Sequence, residues 1–170
     1  MTMKKIYLIR HAKSSWKDET LDDFSRPLNG RGKRDVDFMG KRLKHFDVKP
    51  DKIYSSPAKR AVKTTKALAD ELDIGKKKVF FVDHLYEGTF EDYLSVIHSC
   101  NDEDESIFII GHNPTITEVG ERLSGAILGN IPTCAIVCIS FDVSSFKLIF
   151  EESGTILFFD YPKKHLKKED

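Results

Sequence analysis

Apolar positions along this chain change their period several times, and each change marks an element. Ile6-Tyr7-Leu8-Ile9 is a short continuous run with Lys4-Lys5 before it and Arg10-His11 after it, the pattern of a buried strand. Residues 12–29 are polar and irregular, which predicts a loop over the end of that strand. A first helix is predicted from about 30–33 onward. Val36, Met39, Leu43 and Phe46 recur at intervals of three and four there, and Pro50 closes the region.

Ile53-Tyr54 predicts a second strand ending at Ser55-Ser56-Pro57, with Ser56 as cap and Pro57 as first residue of a second helix. Ala61, Thr65, Leu68 and Leu72 trace its buried stripe, and Gly75 is its expected stop. Residues 79–82 predict a third strand. Thr89 with Asp92 predicts a capping box that opens a third helix through Phe90, Tyr93, Leu94 and Ile97. Residues 107–110 form a fully apolar fourth strand ending in Gly111-His112-Asn113-Pro114. Asn113 is the expected cap and Pro114 the opening residue of a fourth helix carrying Ile116, Val119 and Leu123. Residues 133–141, 146–150 and 155–159 predict three more strands joined as antiparallel hairpins. Strands alternating with helices imply an α/β fold, a three-layer α/β/α sandwich on a mainly parallel sheet.

Composition adds bounds rather than chemistry. With 170 residues, 40% hydrophobic and 32% charged, the chain suits one globular domain over residues 1–162, followed by a charged tail at 163–170. It has no apolar run long enough for a membrane span, and its basic start is followed by too short a run for a signal peptide. The expected location is therefore cytoplasmic. Cys100, Cys134 and Cys138, an odd set, are expected to be reduced and buried, with no spacing for a metal. Net charge is zero but unevenly spread. Residues 1–78 hold 21 Lys and Arg against 11 Asp and Glu, which favours an anionic substrate; no aromatic-interleaved basic patch points to nucleic acid.

The chemistry lies at strand ends. The first strand ends in Arg10-His11, the second in Ser55 with Arg60 one helical turn later, and the fourth in Gly111-His112. Parallel strands place all of these at one edge of the sheet, where α/β folds bind ligands. Two guanidinium forks and two imidazoles facing one cavity suit an anionic substrate. The sequence lacks G-x-G-x-x-G and the P-loop pattern, so nucleotide folds of those kinds are not expected.

R-H-A near the N-terminus, S-S-P-A-K-R-A-V-K-T in the middle and G-H-N-P late resemble the histidine phosphatase superfamily. The short chain, R-H-A-K-S and S-R-P-L-N-G-R-G resemble its SixA-type phosphohistidine phosphatase branch. The resemblance implies a phosphoglycerate mutase-like fold and a phosphohistidine intermediate on His11. Arg10, Arg60 and His112 would hold the phosphoryl group, without metal or cofactor. The substrate would be a phosphorylated protein or a small phosphorylated molecule. Glu87 in L-Y-E-G-T stands where larger members carry a general acid, ahead of Asp18 and Asp83. Arg26, ahead of Lys13, is a further candidate phosphate ligand, and Ser55 a candidate support for His11 or an arginine. Ala12 stands where the superfamily usually has Gly. His45, His84, His98 and His165 match no motif. The alternatives are a phosphatase of small phosphoesters or phosphoanhydrides, with a mutase less favoured, and a module that binds phosphate without turnover. Oligomeric state is open.

Overall fold

The structure, a computed structural model, describes residues 3–166. Its sheet has six strands in the order β3-β2-β4-β1-β5-β6: β1 (Lys4–Arg10), β2 (Lys52–Ser55), β3 (Val79–Phe81), β4 (Ser106–Gly111), β5 (Ile136–Phe141) and β6 (Gly154–Asp160). The first four strands pair in parallel, while β5 runs antiparallel to both β1 and β6. The helices are α1 (Gly30–His45), α2 (Lys59–Glu71), α3 (Phe90–His98) and α4 (Thr115–Ser124).

Side-chain alternation along the strands assigns the helices to layers. Ile6 and Leu8 of β1 join Ile107 and Ile109 of β4 in a cluster with Tyr93 and Ile97 of α3 and Ile116, Val119 and Leu123 of α4. Tyr7 and Ile9 face the other way. With Phe108 and Ile110 they meet Val36, Met39 and Leu43 of α1 and Ala61 and Leu68 of α2. The central strands are therefore covered on both faces, as their unbroken apolar runs require.

Local signals explain most boundaries and correct a few. Asn29 Oδ1 accepts from Gly32 N at 2.8 Å to start α1, and Thr89 with Asp92 closes the expected capping box. Phe46 leaves the α1 stripe as its C-cap and is 61% exposed. Pro57 does not open α2, whose first residue is Lys59; Ser56 Oγ accepts from Ala58 N at 3.2 Å in the turn before it. The chain reverses after α2 at Asp73, in the left-handed region at φ 56°, ahead of Gly75. Asn113 does not cap α4. Its Oδ1 accepts from the Thr117 hydroxyl, and its Nδ2 donates to Ile131 O.

Two C-terminal strands form instead of three. Phe146–Leu148 is a 3-10 turn, because Phe146 and Ile149 are the buried pair and stand three residues apart, a helical and not a strand interval. Part of the tail, from Lys163, forms a turn on Pro162, and His165 pairs with Asp160. Positions 167–170 of the expected tail lie outside the described residues.

Candidate active site

Backbone bonds bring the strand ends together. Arg10 of β1 stands in register with Gly111 of β4, and His11 N donates to Gly111 O at 3.2 Å. Ser56 N donates to Ile110 O at 3.0 Å, so the turn after β2 joins the same rim. Gly111 is required there because a Cβ would overlap the Tyr93 hydroxyl. That hydroxyl accepts from His112 N at 3.2 Å and so fixes where the second histidine leaves the strand.

The imidazoles of His11 and His112 lie with ring centroids 5.0 Å apart. His11 is nearly buried, and its Nδ1 is 2.7 Å from the carbonyl oxygen of Ala12. A carbonyl only accepts, so the neutral ring carries its proton on Nδ1 and leaves the Nε2 lone pair free. Burial first, then the neighbouring His112, Arg60 and Arg10, pushes the His11 pKa down to about 3, against the opposing Ala12 bond. His11 is thus an uncharged base in a cationic pocket. The same Ala12 gives its N–H to Thr64 Oγ1 at 3.0 Å, and its methyl joins the core under α1 and α2. Alanine in place of glycine fills that space without touching the nucleophile.

Ser56, which the sequence shows only as a helix-cap signal, meets the second imidazole. Its Oγ already accepts from Ala58 N, so its O–H is free to donate to His112 Nε2 at 2.7 Å. With Ser56 as the donor, the His112 proton sits on Nδ1, which is buried without a partner among the described residues. His112 therefore donates as a neutral ring. Burial first, and then the Arg60 charge, push its pKa down to about 4, so the ring is neutral near neutral pH. Among the described residues, Arg10 Nε and Arg60 Nε are likewise buried and unpartnered, and each guanidinium lies close enough to His11 to depress its pKa. Unpartnered donors near an uncharged imidazole are of the kind a tetrahedral oxyanion takes up; Arg60 and His112 line one cleft, and Arg10 lines a neighbouring recess.

The remaining candidates divide. Glu87 lines one cleft of about 400 Å³ with Arg60, Tyr86 and His112, on a left-handed backbone at φ 56°. Asp18 and Asp83 do not line it. Ser55 is a correction: its hydroxyl donates to Ser56 O at 2.9 Å and accepts from Thr65 Oγ1 at 2.8 Å. Neither bond reaches His11 or an arginine; the hydroxyl that meets a site imidazole is that of the next residue, Ser56. Arg26 is also diverted. Its guanidinium stacks on Trp16 at 3.5 Å and meets Asp23 Oδ1 at 3.3 Å, so it reaches Arg60 only through that carboxylate. Lys13 lines a separate recess beside Arg10. Asp23 and Tyr86 escaped sequence reasoning. The available signal was an acid three residues before the buried Arg26, within one short turn.

The two depressed histidine pKa values set a pH dependence. Between about pH 6.5 and pH 4 the unfolded chain binds protons that folded His11 and His112 refuse. Stability is therefore full above 6.5 and falls as pH drops, by up to about 1.4 kcal/mol per pH unit for each histidine. Urea midpoints should decline steadily below about pH 6, and His112→Gln should flatten the decline. A midpoint unchanged down to about pH 4 would contradict the burial argument.

The fold and this rim define a phosphoryl-handling α/β protein. Residues 6–127 match the family model of the histidine phosphatase superfamily (branch 1), and the chain belongs to that superfamily. It is similar to an uncharacterised chloroplastic protein of Arabidopsis thaliana, 30% identical over 159 residues that cover 89% of this chain and 72% of the relative. It is also similar in structure to the protein assigned as phosphohistidine phosphatase SixA from Agrobacterium tumefaciens. That match has a TM-score of 0.80 and 27% identity, covering 94% of this chain and 98% of the other. The protein histidine phosphatase SixA complexed with tungstate shares the fold at a TM-score of 0.81 and 21% identity, over 94% of this chain and 98% of that one. No helix among the described residues is long and apolar enough to cross a membrane.

Proposed function

We propose that this chain is a phosphatase that works through phosphohistidine at His11 Nε2 and that its substrate is a phosphohistidine side chain on another protein. The observation that carries the reading is the Nδ1–H bond from His11 to Ala12 O, which leaves an uncharged nucleophilic nitrogen beside Arg10, Arg60 and His112. The lone pair of Nε2 attacks phosphorus as the bond to the leaving group breaks. The two Nε–H groups and His112 Nδ1–H hold the phosphoryl oxygens, whose charge they meet in a site already arranged for it. Water then attacks the phosphoenzyme, phosphate departs, and His11 returns to its neutral form. The guanidinium groups supply the charge stabilisation, so the reading calls on no metal or cofactor.

The SixA neighbours support phosphohistidine as substrate. So does leaving-group chemistry, since imidazole is expelled far more readily than an alkoxide. Residues 12–29, the longest connection before the helices, build no separate domain over the cleft, and an open cleft admits a side chain borne on a protein. Three free, buried cysteines fit a reducing compartment such as the cytoplasm. Incubation with a radiolabelled phosphohistidine protein should release inorganic phosphate in the presence of chelator. Complete retention of the label would refute this substrate.

One observation favours small phosphoesters as a second reading: Glu87 stands in the cleft, where an acid would serve a poor leaving group. Glu87→Gln should leave phosphohistidine turnover within about twofold, and lower turnover of an alkyl phosphate by about 10²-fold or more. Equal losses on both substrates would remove proton delivery from the account of Glu87.

A further inference from the structure

Asp23 stands at the centre of the rim and belongs to none of the expected machinery. It opens a 3-10 turn, Asp23–Ser25, in the loop after β1, and that turn packs on the start of α2. Its backbone carbonyl accepts from Arg60 Nη1 at 2.7 Å, and its Oδ2 accepts from Arg60 Nη2 at 2.9 Å. The same Oδ2 accepts the Tyr86 hydroxyl at 2.7 Å, and Oδ1 faces Arg26 Nε at 3.3 Å. The Tyr86 ring in turn lies edge-on to His112, with centroids 5.6 Å apart. One residue thus ties together the loop after β1, the first turn of α2 and the loop after β3.

Building on the phosphatase reading, we infer that Asp23 is a positioning residue: it accepts one N–H from each Nη group of Arg60, which fixes the guanidinium plane and the aim of the remaining donors, Nε–H among them, toward the phosphoryl group, and it fixes Tyr86 against His112. Among the described residues Arg60 makes no other side-chain bond, and its Nε is buried without a partner. A planar guanidinium held through both Nη groups has the direction of its other N–H donors fixed. Arg26, buried and stacked on Trp16, holds the far oxygen of the carboxylate, so the arrangement is braced from behind.

Proton transfer is the competing role for a carboxylate at this place. The hydrogen bonds from Tyr86 and Arg60, with the charges of Arg60 and Arg26, outweigh its partial burial and hold the Asp23 pKa down to about 2. A carboxylate so placed stays ionised near neutral pH and is a weak base. That chemistry favours holding an arginine over moving a proton.

A double-mutant cycle separates these roles. Asp23→Ala and Asp23→Asn are each measured in the native protein and in the Arg60→Ala variant, with an aryl phosphate for turnover and tungstate for inhibition. In the native background Asp23→Ala should lower kcat/KM by about tenfold to fiftyfold and weaken tungstate in parallel. In the Arg60→Ala background the same change should cost less than about twofold, because nothing is left to position. The pH profile should keep its shape, and Tyr86→Phe should show a smaller loss of the same kind. An equal loss in both backgrounds, or a vanished limb of the pH profile, would show that Asp23 acts on the substrate directly and overturn the inference. Activity unchanged or raised would overturn it too, since the carboxylate would then only compete with phosphate for Arg60. Asp23→Asn, of the same shape, carries the test if Asp23→Ala melts early. Native protein that neither binds tungstate nor turns over the ester would instead sink the phosphatase reading.

Discussion

His11→Ala should abolish turnover, with kcat/KM falling by more than about three orders of magnitude on every substrate. The Nε2 of His112 is occupied by Ser56 at 2.7 Å, whereas among the described residues no protein group meets the Nε2 of His11. The free lone pair beside the two arginines is that of His11 Nε2. The native protein, stopped in mid-reaction, should carry label that is lost in acid and kept in base, as a phosphoramidate is. His11→Ala should carry none. Tungstate binding should largely survive the substitution, since the three donors remain, and this separates loss of the nucleophile from loss of the fold. Native-like turnover in His11→Ala, or an acid-stable phosphoenzyme, would contradict the proposed chemistry.

How much of this was legible in the sequence depends on whether a feature is local. Apolar runs exposed the central strands because β1 and β4 are buried on both faces, and a continuous run has no other explanation at that length. Arg10, His11, Arg60 and His112 could be grouped because parallel strands end on one side. Caps and turns were legible where one residue decides them, as at Asn29 and Thr89. The run at 146–150 misled because it is apolar without a strand period; only the core shows that Phe146 and Ile149 are the buried pair. Ser55 and Ser56 could not be told apart, since which hydroxyl enters the cleft depends on the phase of β2. Asp23 and Tyr86 lie 63 residues apart in the chain, and nothing local couples them. Arg26 drew attention as a cation, but its partner is a carboxylate that the fold supplies.

Arg60→Lys should be nearly as damaging as Arg60→Ala, with each lowering kcat/KM by about 10²- to 10³-fold. Charge alone would predict a mild effect for lysine. Geometry predicts otherwise. Arg60 gives one N–H of Nη1 and one of Nη2 to Asp23, which fixes the direction of its remaining donors, the unpartnered Nε–H included, through one planar group. A lysine ammonium is a single point at the end of a flexible stem and cannot meet Asp23 twice while facing phosphorus. In Arg60→Ala the Asp23 carboxylate also loses its strongest partner and adds negative charge where a phosphoryl dianion must enter. Stability should move little, because Asp23 is about half exposed and such pairs contribute about 0–1 kcal/mol. Urea midpoints should therefore stay close to native while tungstate affinity collapses in both variants. If Arg60→Lys retains more than about a third of native kcat/KM, orientation does not matter at this position. The clamp would then act as a diffuse positive field and not as a set of aimed donors.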